Sequence, residues 1–316
     1  MAISFEVESK RNKISMKNKI IKMKGGLGNQ MFQYAFAKYV ERNSGDVSIL
    51  DFSAYAELLG DEIRKPRLLN FNITSEVASE NEIRKSTLLN HKGNSLSFKY
   101  KIGVFLEALF NRKYFFEWKR GYFITNPQIQ GIDYFDGYWQ SIEYIEPIKE
   151  QLLKDFTPNY ELSAKTQKMM TDMQAHNSVF VGIRKGDYAA KASARKHFGV
   201  ITNEYYSKAM DLISSKVDNP VFHIFSNDIE WCKQNIDFGN HKVIFRDKEI
   251  QTNDFEELMV MSSCKHAIIS NSTFNWWGAY LIKNPKKEIV CPLRWFNDET
   301  SINIVPKEWN RIEAYK

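Results

Sequence analysis

The chain has 316 residues, 43% of them hydrophobic and 26% charged, and its 44 Lys and Arg against 38 Asp and Glu give a net charge of +6. These values exclude a disordered tail, a collagenous repeat and a coiled-coil rod, and predict one large or two ordinary globular domains. A basic surplus this small suits an anionic ligand better than a nucleic-acid coat. The cysteines, Cys232, Cys264 and Cys291, are odd in number and widely spaced. That speaks against a disulfide scaffold or a zinc ribbon and fits a reducing compartment.

Glu6, Glu8, Lys10, Arg11 and Lys13 leave no apolar stretch for an export signal near the start, and no later apolar run approaches the roughly 18 residues that span a bilayer. The expectation is a cytoplasmic protein whose residues 1–18 form a disordered leader, with Met16 as an alternative start.

Ile20 and Ile21 begin a strand that runs into the loop Gly25-Gly26-Leu27-Gly28-Asn29-Gln30. Met31, Phe32, Ala35, Phe36, Tyr39 and Val40 then recur at helical spacing, Gly45-Asp46 breaks the pattern, and a second buried strand ends at Asp51. This strand–loop–helix–strand unit is the basic piece of a doubly wound sheet. Residues 56–130 give a weak, partly helical signal. Their one distinctive feature is the run 104–123, where Phe105, Phe110, Phe115, Phe116 and Trp118 alternate with Arg112, Lys113, Lys119 and Arg120. Two readings stand for it, an amphipathic helix packed on the core and a surface that docks on an anionic membrane.

The second half alternates strands and helices. Residues 179–183 form a strand left by Arg184-Lys185-Gly186-Asp187-Tyr188, and Asn203 is expected to cap a helix carrying Tyr206, Ala209, Met210 and Ile213. Residues 221–225 form the next strand, left by Ser226-Asn227-Asp228; residues 242–245 follow, and Asp254 is expected to cap the helix of Leu258 and Met261. Residues 267–269 lead through Ser270-Asn271-Ser272-Thr273 into a helix from Phe274, and residues 289–291 close the series. Such alternation predicts a parallel α/β fold with ligands beyond the strands' carboxyl ends. Cations and hydroxyls there, beside helix N-termini, suit a phosphate, and the amides and acids a base or ribose. The pattern alone says nucleotide or sugar nucleotide. The absence of GxxxxGK[ST] excludes a P-loop enzyme, and the absence of Asp-x-Asp argues against a dedicated magnesium clamp.

The run from Gly25 through Gln33-Tyr34-Ala35 resembles the N-terminal signature of the α1,2-fucosyltransferases. Gly137-Tyr138-Trp139-Gln140-Ser141, Arg184-Lys185-Gly186-Asp187-Tyr188, His197-Phe198-Gly199-Val200, Phe225-Ser226-Asn227-Asp228 and Ser270-Asn271-Ser272-Thr273-Phe274-Asn275-Trp276-Trp277-Gly278-Ala279 resemble further family segments in the same order. The resemblance implies a GT-B fold, two Rossmann-like doubly wound domains facing across a cleft: 19–165 on the acceptor side and 166–316 on the GDP-fucose side. It implies transfer of L-fucose from GDP-β-L-fucose to the 2-hydroxyl of a galactose-type residue, with inversion, no metal and no cofactor beyond the donor. The acceptor glycan, lipid-linked or free, is left open, and with it peripheral contact at the inner face of the membrane.

The family's His-x-Arg-Arg-x-Asp motif carries Arg184 over as the grip on the β-phosphate, while Gly182 stands in the histidine's place and Lys185 in the second arginine's. His223 and Asn227 are candidates to compensate for the missing histidine. Asp187 is expected to orient Arg184, the alternative being a proton acceptor. Gly26, Gly28 and Asn29 are expected to face the phosphates across the cleft, together with Ser270, Ser272 and Thr273, and Lys185, Ser226, Asn227 and Asn271 are further candidates to bind the donor. Asp228 is expected to read the guanine or ribose, with a plain helix cap as its alternative. Tyr138, Trp139 and Gln140 are acceptor candidates, and Trp276 and Trp277 are read as core. Two other classes remain: a GDP-sugar-binding protein without turnover, and an NAD-dependent oxidoreductase suggested by Gly26-x-Gly28 and Asp51.

Overall fold

The structure is a computed structural model that describes residues 17–55, 66–89, 98–119, 121, 123–184, 199, 201–246, 253–297 and 302–315. The expected leader therefore lies, except for its last two residues, outside the described residues. Two sheets carry the architecture. The first contains β1 (Asn18–Lys22), β2 (Val47–Asp51), β3 (Tyr114–Phe116) and β4 (Tyr134–Asp136), in the order β2-β1-β4-β3. The second contains β5 (Ser178–Ile183), β6 (Val221–Ser226), β7 (Lys242–Phe245), β8 (His266–Ile269), β9 (Ile289–Pro292) and β10 (Asn310–Ile312), in the order β10-β9-β8-β5-β6-β7. Every pairing in both is parallel.

The six-stranded sheet changes direction once, at β5/β8, and β1 and β4 are the central pair of the four-stranded sheet. Ligands of open α/β sheets sit at such reversals, because the loops diverge there and leave a crevice. The strands β1, β4, β5 and β8 end at Lys22, Asp136, Ile183 and Ile269, so the segments 23–29, 137–141 and 270–273, together with Arg184, lie beyond those ends.

The helix Leu27–Ser44 joins the halves. It is buried without a break from Leu27 to Val40 except at Asn29, because one face lies on the first sheet and another meets the helix Thr273–Tyr280. Phe32 sits 4.8 Å from the Trp276 ring and 5.1 Å from that of Trp277. A continuous apolar cluster therefore runs from Phe36 and Trp139 through Phe156 to Trp276 and Trp277. A second cluster, with Val179, Val181, Tyr205, Met210 and Ile224, covers the other face of the six-stranded sheet. The buried polar residues of the long helix are paired: Gln33 accepts from Lys24 N at 3.0 Å and donates to the carbonyls of Lys24 and Gly137, each at 3.2 Å. One amide thus ties together the loops after β1 and β4.

Three strands depart from the sequence reading. β3, β4 and β10 span three residues each, too few to show a period of two. Two caps shift by one residue: Thr202 accepts from Tyr205 N ahead of the helix Asn203–Ser214, and Asn253 accepts from Phe255 N ahead of Asp254–Ser263. In each case a polar residue one position earlier supplies the oxygen, which sequence alone cannot rank against its neighbour.

Candidate active site

A cleft of about 660 Å3 opens between the two sheets. Gly26, Gly28, Asn29, Tyr138 and Gln140 line it from the first sheet, and Ile183, Arg184, Ser226, Asn227, Asn271, Ser272 and Thr273 from the second. Asn29 joins three of these loops: its Oδ1 accepts from Gln140 Nε2 at 2.9 Å and from Thr273 Oγ1 at 3.2 Å. Gly25 makes the turn before it with φ +84°, and its carbonyl accepts from the Tyr55 hydroxyl at 2.7 Å. Only glycine adopts that backbone without strain.

Two helices begin at the cleft, Leu27–Ser44 after Gly26 and Thr273–Tyr280 after Ser272, and neither has a side-chain cap. Elsewhere Ser79, Ser163 and Thr202 cap their helices, while Lys149–Asp155 also begins without a side-chain cap; what the two cleft helices share is the place of their ends. The first-turn N–H groups and the positive dipole ends of two helices thus face one volume, which favours an anion. Arg184, just beyond the end of β5, lines the same volume, and the Tyr206 hydroxyl is hydrogen-bonded to its backbone.

Gly182 has a specific neighbour. A Cβ there would overlap the side-chain amide of Asn275, which donates to Ser270 Oγ at 2.9 Å. Asn275 also lines the cleft. The space beside residue 182 is therefore occupied by an amide from the neighbouring helix. His223 lies elsewhere: it faces Phe180 in the register of β5 and β6, contacts His176 Nε2 at 2.8 Å and accepts from Arg246. Burial first, then the adjacent Arg246 and His176, depress it to about 3, so it is a neutral, internal group.

Several expected residues stand away from the cleft. Trp139, read as an acceptor platform, is fully buried and stacks on Phe36 at 3.9 Å, with φ +55°. That backbone turn sends its ring inward and its neighbours Tyr138 and Gln140 outward. Ser270 is fully buried beneath Asn275. Asp228 caps its helix by accepting from Trp231 N at 3.0 Å and is not among the cleft residues. Asp51, the residue behind the oxidoreductase reading, is fully buried and bonded to the Tyr134 hydroxyl and to Ser53 N. Lys185 and Asp187 lie outside the described residues.

The cleft also contains groups to which the sequence reading gave no role in the site. Asp254 and Glu257 come from the first turns of their helix, and Phe225, Phe274, Trp295 and Phe296 form an apolar wall. Burial, and secondarily Asp254, pushes the Glu257 carboxyl up to about 7. Their signal was positional: acids in the first turn of the helix after β7, and aromatics just beyond the end of β9. Behind Tyr138 lies a buried charged cluster. Lys24 pairs with Asp136, and its ammonium lies 4.9 Å from the centre of the Tyr138 ring. Burial acts to lower the Lys24 pKa, but Asp136 and Tyr138 outweigh it and hold it above its ordinary value.

The chain matches the model of Glycosyl transferase family 11 over residues 2–313. It is 32% identical over 313 residues to an alpha-1,2-colitosyltransferase of Escherichia coli, covering 93% of this chain and 98% of that protein. It is 24% identical over 267 residues to the galactoside 2-alpha-L-fucosyltransferase Sec1 of Mus musculus, covering 83% of this chain and 63% of the relative. Among solved structures, a NodZ alpha-1,6-fucosyltransferase soaked with GDP-fucose superposes with a TM-score of 0.50 at 11% identity, covering 84% of this chain and 93% of the other. That likeness shows the fold: two parallel α/β sheets facing across a cleft, the GT-B arrangement. On these grounds the chain belongs to glycosyl transferase family 11.

Proposed function

We propose that this protein transfers L-fucose from GDP-β-L-fucose to the 2-hydroxyl of a galactose-type residue, inverting the anomeric centre without a metal ion. The observation that carries the proposal is the convergence of Arg184 and two helix N-termini without side-chain caps on one cleft. In the transfer the bond from C1 to the β-phosphate oxygen breaks, its electron pair leaves with GDP, and the acceptor's O2 bonds to C1 as its proton passes to water. Fixed positive charge and N–H donors at the diphosphate lower that barrier, because the charge they meet grows in the transition state. Arg184 is assigned to the β-phosphate, with Ser272, Thr273, Gly26 and Gly28 offering donors around it. Lys185 adds charge and Asp187 orients Arg184. Asp254, Glu257, Ser226 and Asn227 are assigned to the nucleoside, and Tyr138 and Gln140 to the acceptor.

In this reading residues 19–165 form the acceptor domain and 166–316 the donor domain. The protein works in the cytoplasm, and its galactose-containing acceptor is lipid-linked at the inner face of the membrane. The 32% identity to a colitosyltransferase favours a second donor reading in which colitose replaces fucose.

Thermal denaturation with GDP or GDP-fucose and EDTA present tests the donor site. A ligand at about 100 times its Kd stabilises the native state by about 2.7 kcal/mol, so a clear rise in Tm is expected. A rise abolished by EDTA, or produced by NADH instead, overturns the reading. Mass spectrometry of lactose incubated with fucosyl and colitosyl donors then separates the two sugars, and GDP release without a fucosylated product identifies a non-transferring binder.

A further inference from the structure

The stretch 101–119 presents an unusual outer face. Ile102, Phe105 and Leu109 share one side of the helix Phe98–Phe110, with Phe105 at 56% and Leu109 at 60% exposure. Phe110 at its end is 66% exposed, and Trp118, just beyond β3, is 65% exposed. Leu88 is exposed as well, and the backbone N–H of its neighbour Leu89 donates to Glu107 at 2.6 Å. The charges on this stretch are sorted by sign. Lys101, Arg112, Lys113 and Lys119 are exposed; Glu107 and Glu117 are buried. Glu107 accepts from Leu89 N and from Asn111, and Glu117 from the backbone of Tyr138 at 2.6 Å and of Trp139 at 3.2 Å. Lys113 shares Asp133 at 2.9 Å and remains mostly in solvent.

We infer that this face docks on an anionic lipid surface. Exposed aromatic and aliphatic groups among cations, with the acids turned inward, match a surface that sinks into a headgroup layer. A protein partner would select against lysine, which is depleted at protein–protein interfaces. The location adds a geometric reason. Trp118 follows Glu117, whose carboxylate holds the loop that places Tyr138 in the cleft wall. The docking face thus reaches the cleft's rim on the side assigned to the acceptor, where a lipid-linked glycan has to enter. The inference rests on the acceptor reading above for its purpose, though not for its test.

Cosedimentation of the full chain with vesicles of phosphatidylcholine alone, or mixed with phosphatidylglycerol, tests it. Binding is expected to the anionic vesicles at low salt and to fade as salt rises. Phe105→Ser with Leu109→Ser, and separately Trp118→Ala, should weaken vesicle partitioning by about tenfold or more, the scale of withdrawing one or two large apolar side chains from lipid. Tm and transfer to a soluble galactoside should stay at wild-type values, because these side chains are outside the cleft. If the serine pair lowers Tm, Arg112→Ala and Lys119→Ala keep the test open, each expected to cost about fivefold in binding. Equal recovery in the supernatant with both lipids overturns the inference. So does a concentration-dependent dimer in sedimentation velocity that Trp118→Ala abolishes, which would make a second copy the occupant. Failed vesicle binding with transfer intact removes only the docking face; failed transfer with vesicle binding intact removes only the enzymatic reading.

Discussion

Gly28 and Phe274 meet backbone to backbone across the cleft. A Cβ on Gly28 would lie 2.5 Å from the Phe274 amide nitrogen, closer than any real side chain sits. The helices starting at Leu27 and Thr273 can approach so closely because residue 28 has no side chain. Gly28→Ala must push them apart, and overpacking of this kind costs about 1–3 kcal/mol. The expected result is a lowered Tm together with weaker GDP binding, since both helix ends would leave the anion. An alanine variant with unchanged Tm and GDP affinity would show that the halves separate freely.

Arg184 is the mechanistic centre of the proposal. Arg184→Ala should lower kcat by about a hundredfold or more, the scale for losing one preorganised donor to a developing charge. Arg184→Lys should recover little, because an ammonium cannot hold two diphosphate oxygens in a planar fork. Lys185→Ala should cost less, and Lys185→Arg should be tolerated. Steady-state kinetics on variants of wild-type Tm decide it; a folded Arg184→Ala enzyme at near wild-type kcat is the losing outcome.

Gly182 and Asn275 should behave as a coupled pair. Gly182→Ala drives a methyl group into the Asn275 amide and should destabilise the protein by about 1–3 kcal/mol. Asn275→Ala vacates that space, so adding Gly182→Ala to it should cost much less. Denaturant melts of the four-member cycle measure the coupling, expected between about 0.5 and 3 kcal/mol. Strict additivity would mean the two side chains do not compete.

Glu257 sets a pH dependence near neutrality. Its carboxyl is raised from an ordinary 4.5 to about 7, by burial and then by Asp254. Between these two values the native state keeps a proton that the unfolded chain has released. The contribution to stability is therefore complete below pH 4.5 and is lost as pH rises toward 7. Glu257→Gln should flatten that part of the Tm-against-pH curve. An unchanged slope in the variant would assign the dependence to another group.

Much of the architecture is legible in the chain because the longer buried strands stand out as continuous apolar runs and the amphipathic helices by their periodicity. The alternation of residues 178–292, the Gly25 turn and the strand ends carrying Arg184 and Ser272 need no tertiary information. Chain order and strand-end chemistry by themselves point to a parallel α/β protein with candidate anion-binding groups at its strand ends. Three-residue strands carry no period, so β3, β4 and β10, and with them the loop bearing Tyr138 and Gln140 on a strand end, had to come from the folded chain.

Side-chain direction is likewise a tertiary property. Trp139 and Tyr138 are neighbours of similar chemistry, and the positive φ of Trp139 with its stack on Phe36 sends one into the core and leaves the other at the cleft. Asp228 and Asp254 both begin helices after strands, and packing puts only the second on the cleft wall. The sequence by itself determined the fold class and the kind of ligand, because both follow from local pattern and residue chemistry. The tertiary structure decided which polar groups line the cleft and which are consumed as caps and buried partners, because each depends on contacts between residues far apart in the chain.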